Sequence, residues 1–306
     1  MLERIDTLYR RLFTEENVAS VDHATLVAAI AGFLVHLVLL AAARLWPDAP
    51  PFLAVLADRS FLTAIYTPFS FILFYEVFAL VLSIPRSFTA SVGIQLQIIG
   101  LIIIRRIFGD IGQLTRLESL SLDSEWVRLL GFDMLAALGM FFGVIVFSKV
   151  SQDVPGSPEG QDVERFVKIK RSITLVLAIL LAVTALVSLT RYAVVALEAI
   201  GQEVTIPINT NKVFFREMFT VMIFTDVVIL LVSLEYSHRF ELVFRNAGFV
   251  IATILIRLSL SIPRPLDLLF IAAAFVFAIA ILFGYGSYLR ADVHRTVEEE
   301  DEPQIV

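Results

Sequence analysis

Cysteine is absent from the 306 residues. Its absence excludes a disulfide framework, a thiolate metal site and a cysteine nucleophile, and redox chemistry says nothing about compartment. Histidine is scarce as well: four copies are scattered along the chain, too few and too dispersed for a metal hydrolase. No HExxH, GxSxG or phosphate-binding glycine loop occurs, so no enzyme and no cofactor are expected. Positive charge is also in short supply. Lys and Arg number 24 against 30 Asp and Glu, a formal net charge of −6, and no patch is basic enough for nucleic acid.

What the chain has in excess is apolar sequence. It is 58% hydrophobic with a mean hydropathy of +0.83, more than a soluble domain of this length can bury. The apolar stretches have helical length and lack the short alternation of a barrel. The fold class expected is therefore all-α, a polytopic integral membrane protein. Spans are expected at about 24–45, 61–84, 88–108, 129–150, 172–197, 213–234, 240–260 and 266–288, eight in all. Around them lie an amphipathic N-terminal segment (1–22), a polar linker (151–171) and an acidic tail (291–306) expected to be solvated and disordered.

The first residues carry charge throughout, unlike a cleavable signal peptide. Leu2, Ile5, Leu8 and Leu12 recur at helical spacing opposite Arg4, Arg10 and Arg11. Such a helix either lies on the membrane surface or packs on its own protein. An even number of spans puts both termini on one side. Of the 24 basic residues 13 fall on that side, against nine on the other once Arg105 and Arg257 are placed inside the membrane. The bias puts both termini in the cytoplasm.

Ionisable residues inside the spans carry the information, because a charge at the bilayer centre costs ~2.5–3.5 kcal/mol on insertion scales. They recur in order. Glu76-Val77 and Asp226-Val227 are 150 positions apart, as are Ser83 and Ser233. The offset then becomes 152 for Arg86-Ser87-Phe88 against His238-Arg239-Phe240, and for Arg105 against Arg257. Asp133 and Asp267 match at 134. The expectation is two four-helix units, 23–150 and 172–290, in parallel orientation about a pseudo-two-fold axis along the membrane normal.

The motifs FTDVVILLVSL, the HRF turn, IATILIR and PRPLDLLFIAAA resemble the four-span PsiE family, the phosphate-starvation-inducible E proteins of bacteria. The resemblance implies a four-helix unit in the inner membrane and maps the family's residues onto Asp226, His238, Arg257 and Asp267. The first unit departs from it, with Glu76, Arg86 in place of the histidine, Arg105, and Gly-Phe-Asp at Asp133. The family's name records regulation and says nothing of a substrate.

An acid and an arginine on adjacent spans should pair, Glu76 with Arg105 and Asp226 with Arg257. Two readings of Glu76, Arg105, Asp133, Asp226, Arg257 and Asp267 stand side by side. In one they line a hydrated path for a small ion or proton between the units, with Gln95, Gln97 and Asn246 as further lining. In the other they lock helices in a non-conducting scaffold or stress-response sensor. His238, at a cytoplasmic turn, is a candidate pH-sensitive group or a plain loop residue. The partners implied are membrane lipids, a small ion or proton under the first reading, and a second copy of the chain in a homo-oligomer.

Overall fold

A computed structural model describes residues 2–46, 60–112, 124–152, 161–199, 210–236 and 239–301, and these are almost wholly helical. Nine α-helices follow in order among them: α1 (Leu2–Leu12), α2 (Glu15–Leu45), α3 (Tyr66–Ser83, entered through a 3₁₀ turn at Phe61–Ile65), α4 (Phe88–Gly112), α5 (Glu125–Gln152), α6 (Gln161–Ala199), α7 (Thr210–Tyr236), α8 (Phe240–Ser259) and α9 (Leu266–Asp301).

The breaks have local causes. The α1–α2 corner is closed by Thr14, whose hydroxyl accepts from Asn17 N at 3.2 Å, while Asn17 Nδ2 donates to the carbonyls of Arg11 and Leu12. Glu15 and Glu16 in the first turn of α2 suit the positive end of its dipole. Pro85 follows the last turn of α3, and Pro263 and Pro265 stand between α8 and α9, where neither helix could continue through them.

Seven of these helices are long and apolar enough to cross a membrane: α2, the 3₁₀ turn with α3, α4, α5, α7, α8 and α9. The expected fifth span, 172–197, falls within α6, where side chains beyond Thr190 lie outside the described residues. Helix also extends into the polar linker and into the tail. Residues 161–171 form the first turns of α6, because Glu164 and Lys168 pair one turn apart and Phe166 packs on Phe88 and Tyr236. Residues 291–301 continue α9, since no proline or glycine interrupts the run before Pro303. The first span begins at Glu15, within the segment expected to be separate from it.

Each helix packs against the next within α2–α5 and within α6–α9. The two sets meet where α4 lies against α8, α5 against α9 and α3 against α6. The most enclosed helix is α8. Its Phe249 and Ile256 share one core with Leu96, Ile99 and Ile103 of α4, Met222 of α7 and Leu282 of α9. Phe147 of α5 meets Phe249 edge-on with ring centres 6.5 Å apart. Gly248 lets α9 approach closely: a Cβ there would stand 2.6 Å from Ile281 Cδ1. Outside, the molecule is apolar. Val38 and Leu135 are 67% and 68% exposed, the reverse of a soluble protein, whereas Glu76, Asp133, Asp226, Arg257 and Asp267 are buried.

Candidate functional site

Four groups of polar side chains occupy the interior. The first centres on Asp226 of α7 and Arg257 of α8. Arg257 is 1% exposed. Its Nη1 donates to the Asp226 carboxylate and, at 2.8 Å, to the carbonyl of Met222. Its Nη2 reaches across the two helical sets to Gln95 Oε1 at 3.3 Å. Thr253, one turn earlier on α8, donates to Asp226 Oδ2 at 2.8 Å. A carboxylate that accepts from both a guanidinium and a hydroxyl has its desolvation offset by good geometry.

From Gln95 a string of polar atoms runs along α4 toward the end of the bundle at which α6 begins. Gln95 Nε2 donates to Ser91 Oγ at 3.2 Å, and Ser91 Oγ lies 3.3 Å from Ser83 Oγ at the end of α3. Beside it is a cavity of about 20 Å³, bounded by Ser91, Gln95, Lys170, Asp226 and Thr253 with apolar walls from Ile84, Val92 and Phe249. That is room for one water molecule with several polar partners. Lys170 of α6, buried, donates to the carbonyl of Arg86, and its ammonium sits 5.0 Å and 5.3 Å from the ring centres of Phe88 and Phe166.

The second group is Glu76 of α3 with Arg105 of α4. Glu76 is 3% exposed, and Arg105 Nε approaches its Oε2 to 3.4 Å. Neither Glu76 oxygen nor Arg105 Nε makes a hydrogen bond.

The third group ties the helical sets together at the opposite end. Arg106 donates to Asp133 Oδ1 at 2.8 Å and to Asp267. Arg264, between α8 and α9, bonds Asp133 Oδ2 at 2.9 Å and Asp110 Oδ1 at 3.0 Å. Three carboxylates thus share two arginines, with Asp267 Oδ1 left unbonded. Asp110 holds Arg264 by a hydrogen bond and keeps its guanidinium protonated more firmly than usual. The fourth group is Arg245 on α8, which donates to Asn246 Oδ1 and lies 4.6 Å above the Tyr285 ring centre.

Of the residues singled out from sequence, the structure joins Glu76 with Arg105, Asp226 with Arg257, and Asp133 with Asp267 through Arg106. Gln95 points inward, whereas Gln97 is exposed and Asn246 belongs to Arg245. His238 lies outside the described residues. Asp110, Lys170, Thr253 and Arg264 were not singled out. Thr253 carried a signal, since it stands one turn before Arg257 and so on the same face. Arg264 sits among prolines that read only as a helix break. Among the described residues no cluster of His, Asp and Glu could hold a metal ion.

Compared with protein-family models, with curated proteins and with solved structures, the chain has no match among them. The molecule is defined by its own geometry, a multi-pass helical membrane protein with a charged interior.

Proposed function

We propose that this is a proton-conducting inner-membrane protein of PsiE-like type, a tandem duplication of a four-helix unit with eight spans and both termini in the cytoplasm. The duplication is supported by equivalent pairings, Glu76 with Arg105 between α3 and α4 and Asp226 with Arg257 between α7 and α8, and by the contacts of α4 with α8 and α5 with α9. The observation that carries conduction is the polar string Ser83, Ser91 and Gln95 beside a cavity sized for one water that Asp226, held in place by Arg257, also borders. A hydrated metal ion does not fit about 20 Å³. A proton needs no such room: it would pass by exchange through a water in the cavity between Ser91 and Asp226, since Arg257 only donates and so positions Asp226 without relaying.

Proteoliposomes with an internal pH dye and an imposed potassium diffusion potential test this. Wild type should acidify the lumen, and Asp226→Asn should abolish the signal; thermal unfolding of the reconstituted variant separates lost conduction from the lost stability that an unpaired Arg257 brings. Wild-type vesicles indistinguishable from empty ones would sink the proposal.

One observation favours a second reading, a non-conducting scaffold: Arg257 makes three hydrogen bonds that fix α7, α8 and α4 together. Exchanging the charges, Asp226→Arg with Arg257→Asp, separates the two. Conduction requires that flux stay lost even where stability returns, whereas a scaffold should regain stability and its function together.

A further inference from the structure

The N-terminal helix docks on its own protein through its acids and turns a mixed basic and apolar face outward. Glu3 pairs with Lys168 of α6 at 2.7 Å, and Asp6 with Arg171 of α6 at 2.8 Å. Arg10 also binds Asp6, and the Arg171 guanidinium lies 5.7 Å from the Tyr9 ring centre. Asp6 is buried although it is charged. Burial pushes its carboxyl up, but hydrogen bonds from Arg171 and Arg10 outweigh that and hold it below its usual value.

The opposite face is the unexpected one. Arg4, Leu8, Arg11 and Leu12 follow the i, i+4, i+7, i+8 spacing that puts them on one side of a helix, and all four are exposed, Leu8 by 45% and Leu12 by 47%. Glu3 and Asp6 are neutralised by Lys168, Arg171 and Arg10, which leaves Arg4 and Arg11 without an acidic partner among the described residues. The depth of α1 is set at both ends. Arg171 stands at the threshold of the apolar stretch of α6, which opens at Ser172. Phe13, just past the end of α1, packs on Phe78 of the membrane helix α3 with ring centres 6.1 Å apart. At that level, where the apolar runs of α3 and α6 end, a bilayer would place its headgroups.

We infer that this face of α1 binds the anionic phospholipid surface, with Leu8 and Leu12 inserted at the acyl boundary and Arg4 and Arg11 on headgroup phosphates. The chemistry is that of an interfacial helix: apolar area supplies the anchoring and paired cations select anionic lipid. The inference is independent of proton movement, because no residue of the polar string takes part.

The lack of cysteine makes the test clean. A polarity-sensitive fluorophore is attached to Leu8→Cys, or to Thr7→Cys on the adjoining polar side, in full-length protein reconstituted in zwitterionic or phosphatidylglycerol-containing nanodiscs. The label at 8 should emit to the blue of the label at 7 and resist aqueous iodide, several-fold more so with phosphatidylglycerol. Arg4→Gln with Arg11→Gln should remove the dependence on anionic lipid while the blue emission remains; both arginines are exposed and have no acidic partner among the described residues, so folding is not at stake. Equal quenching at 7 and 8 in both lipids would overturn the inference. So would protection at 8 that tracks protein density and not lipid charge, the mark of a second copy of the chain.

Discussion

The two acid–arginine pairs use the same chemistry, one between α3 and α4 and one between α7 and α8, and they are held very differently. Asp226 accepts from Arg257 and Thr253, and Arg257 is further bound by a Met222 carbonyl and Gln95. Glu76 faces Arg105 at 3.4 Å with no hydrogen bond on either oxygen. The difference lies in the neighbours. One turn before Arg257 stands Thr253, whereas one turn before Arg105 stands Leu101, exposed and unable to donate. Opposite charges alone do not make a satisfied buried pair, because each remaining lone pair and N–H needs its own partner.

The comparison can be broken by removing the arginines. Arg257→Met strands a buried Asp226 and should destabilise by about 3–5 kcal/mol. Arg105→Met forfeits no hydrogen bond and should cost less, about 1–3 kcal/mol. Thermal unfolding in detergent measures both, and equal losses would end the distinction.

Thr253→Val keeps the shape and deletes the donor, so Asp226 loses one bond and stability falls by about 1–2 kcal/mol. The same unfolding assay reads it, and no change would mean that the hydroxyl is incidental. Gln95→Leu cuts the only link from α4 to Arg257 among the described hydrogen bonds. It should cost about 1 kcal/mol, and a double-mutant cycle with Thr253→Val should show coupling through Arg257.

The smallest effect is at α1. Asp6 has a lowered pKa, so its contribution to docking is complete above the ordinary value of 3.8 and is lost as pH falls through the depressed one. A label on α1 should therefore stay immobile at neutral pH and become mobile only in strong acid. Release in mildly acidic buffer would contradict the pairing with Arg171.

Much of this was readable from sequence for physical reasons. Charges inside apolar helices are so costly that Glu76, Arg105, Asp226 and Arg257 had to find each other, and spacing chose the partners. Helix rotation was less accessible. Gln95 and Gln97 differ by about 200° around the axis, so one joins Arg257 and the other faces outward. Reach was not accessible at all. Arg264 comes from a turn and crosses to Asp110 and Asp133, residues more than 130 positions earlier, and no local pattern marks that. Helix ends were less legible: α6 starts at Gln161, ahead of its apolar stretch, and α9 runs on to Asp301, beyond its own.

The group at Arg106 and Arg264 has a mechanical consequence. Five charges at one depth rivet four pieces of backbone: α4, α5, the turn after α8, and α9. Sliding any one of them by the length of a side chain breaks bonds to at least one arginine that also holds another piece. Such a joint resists small displacements and yields only as a whole, so motion between the two helical sets at that end is all-or-none and not graded.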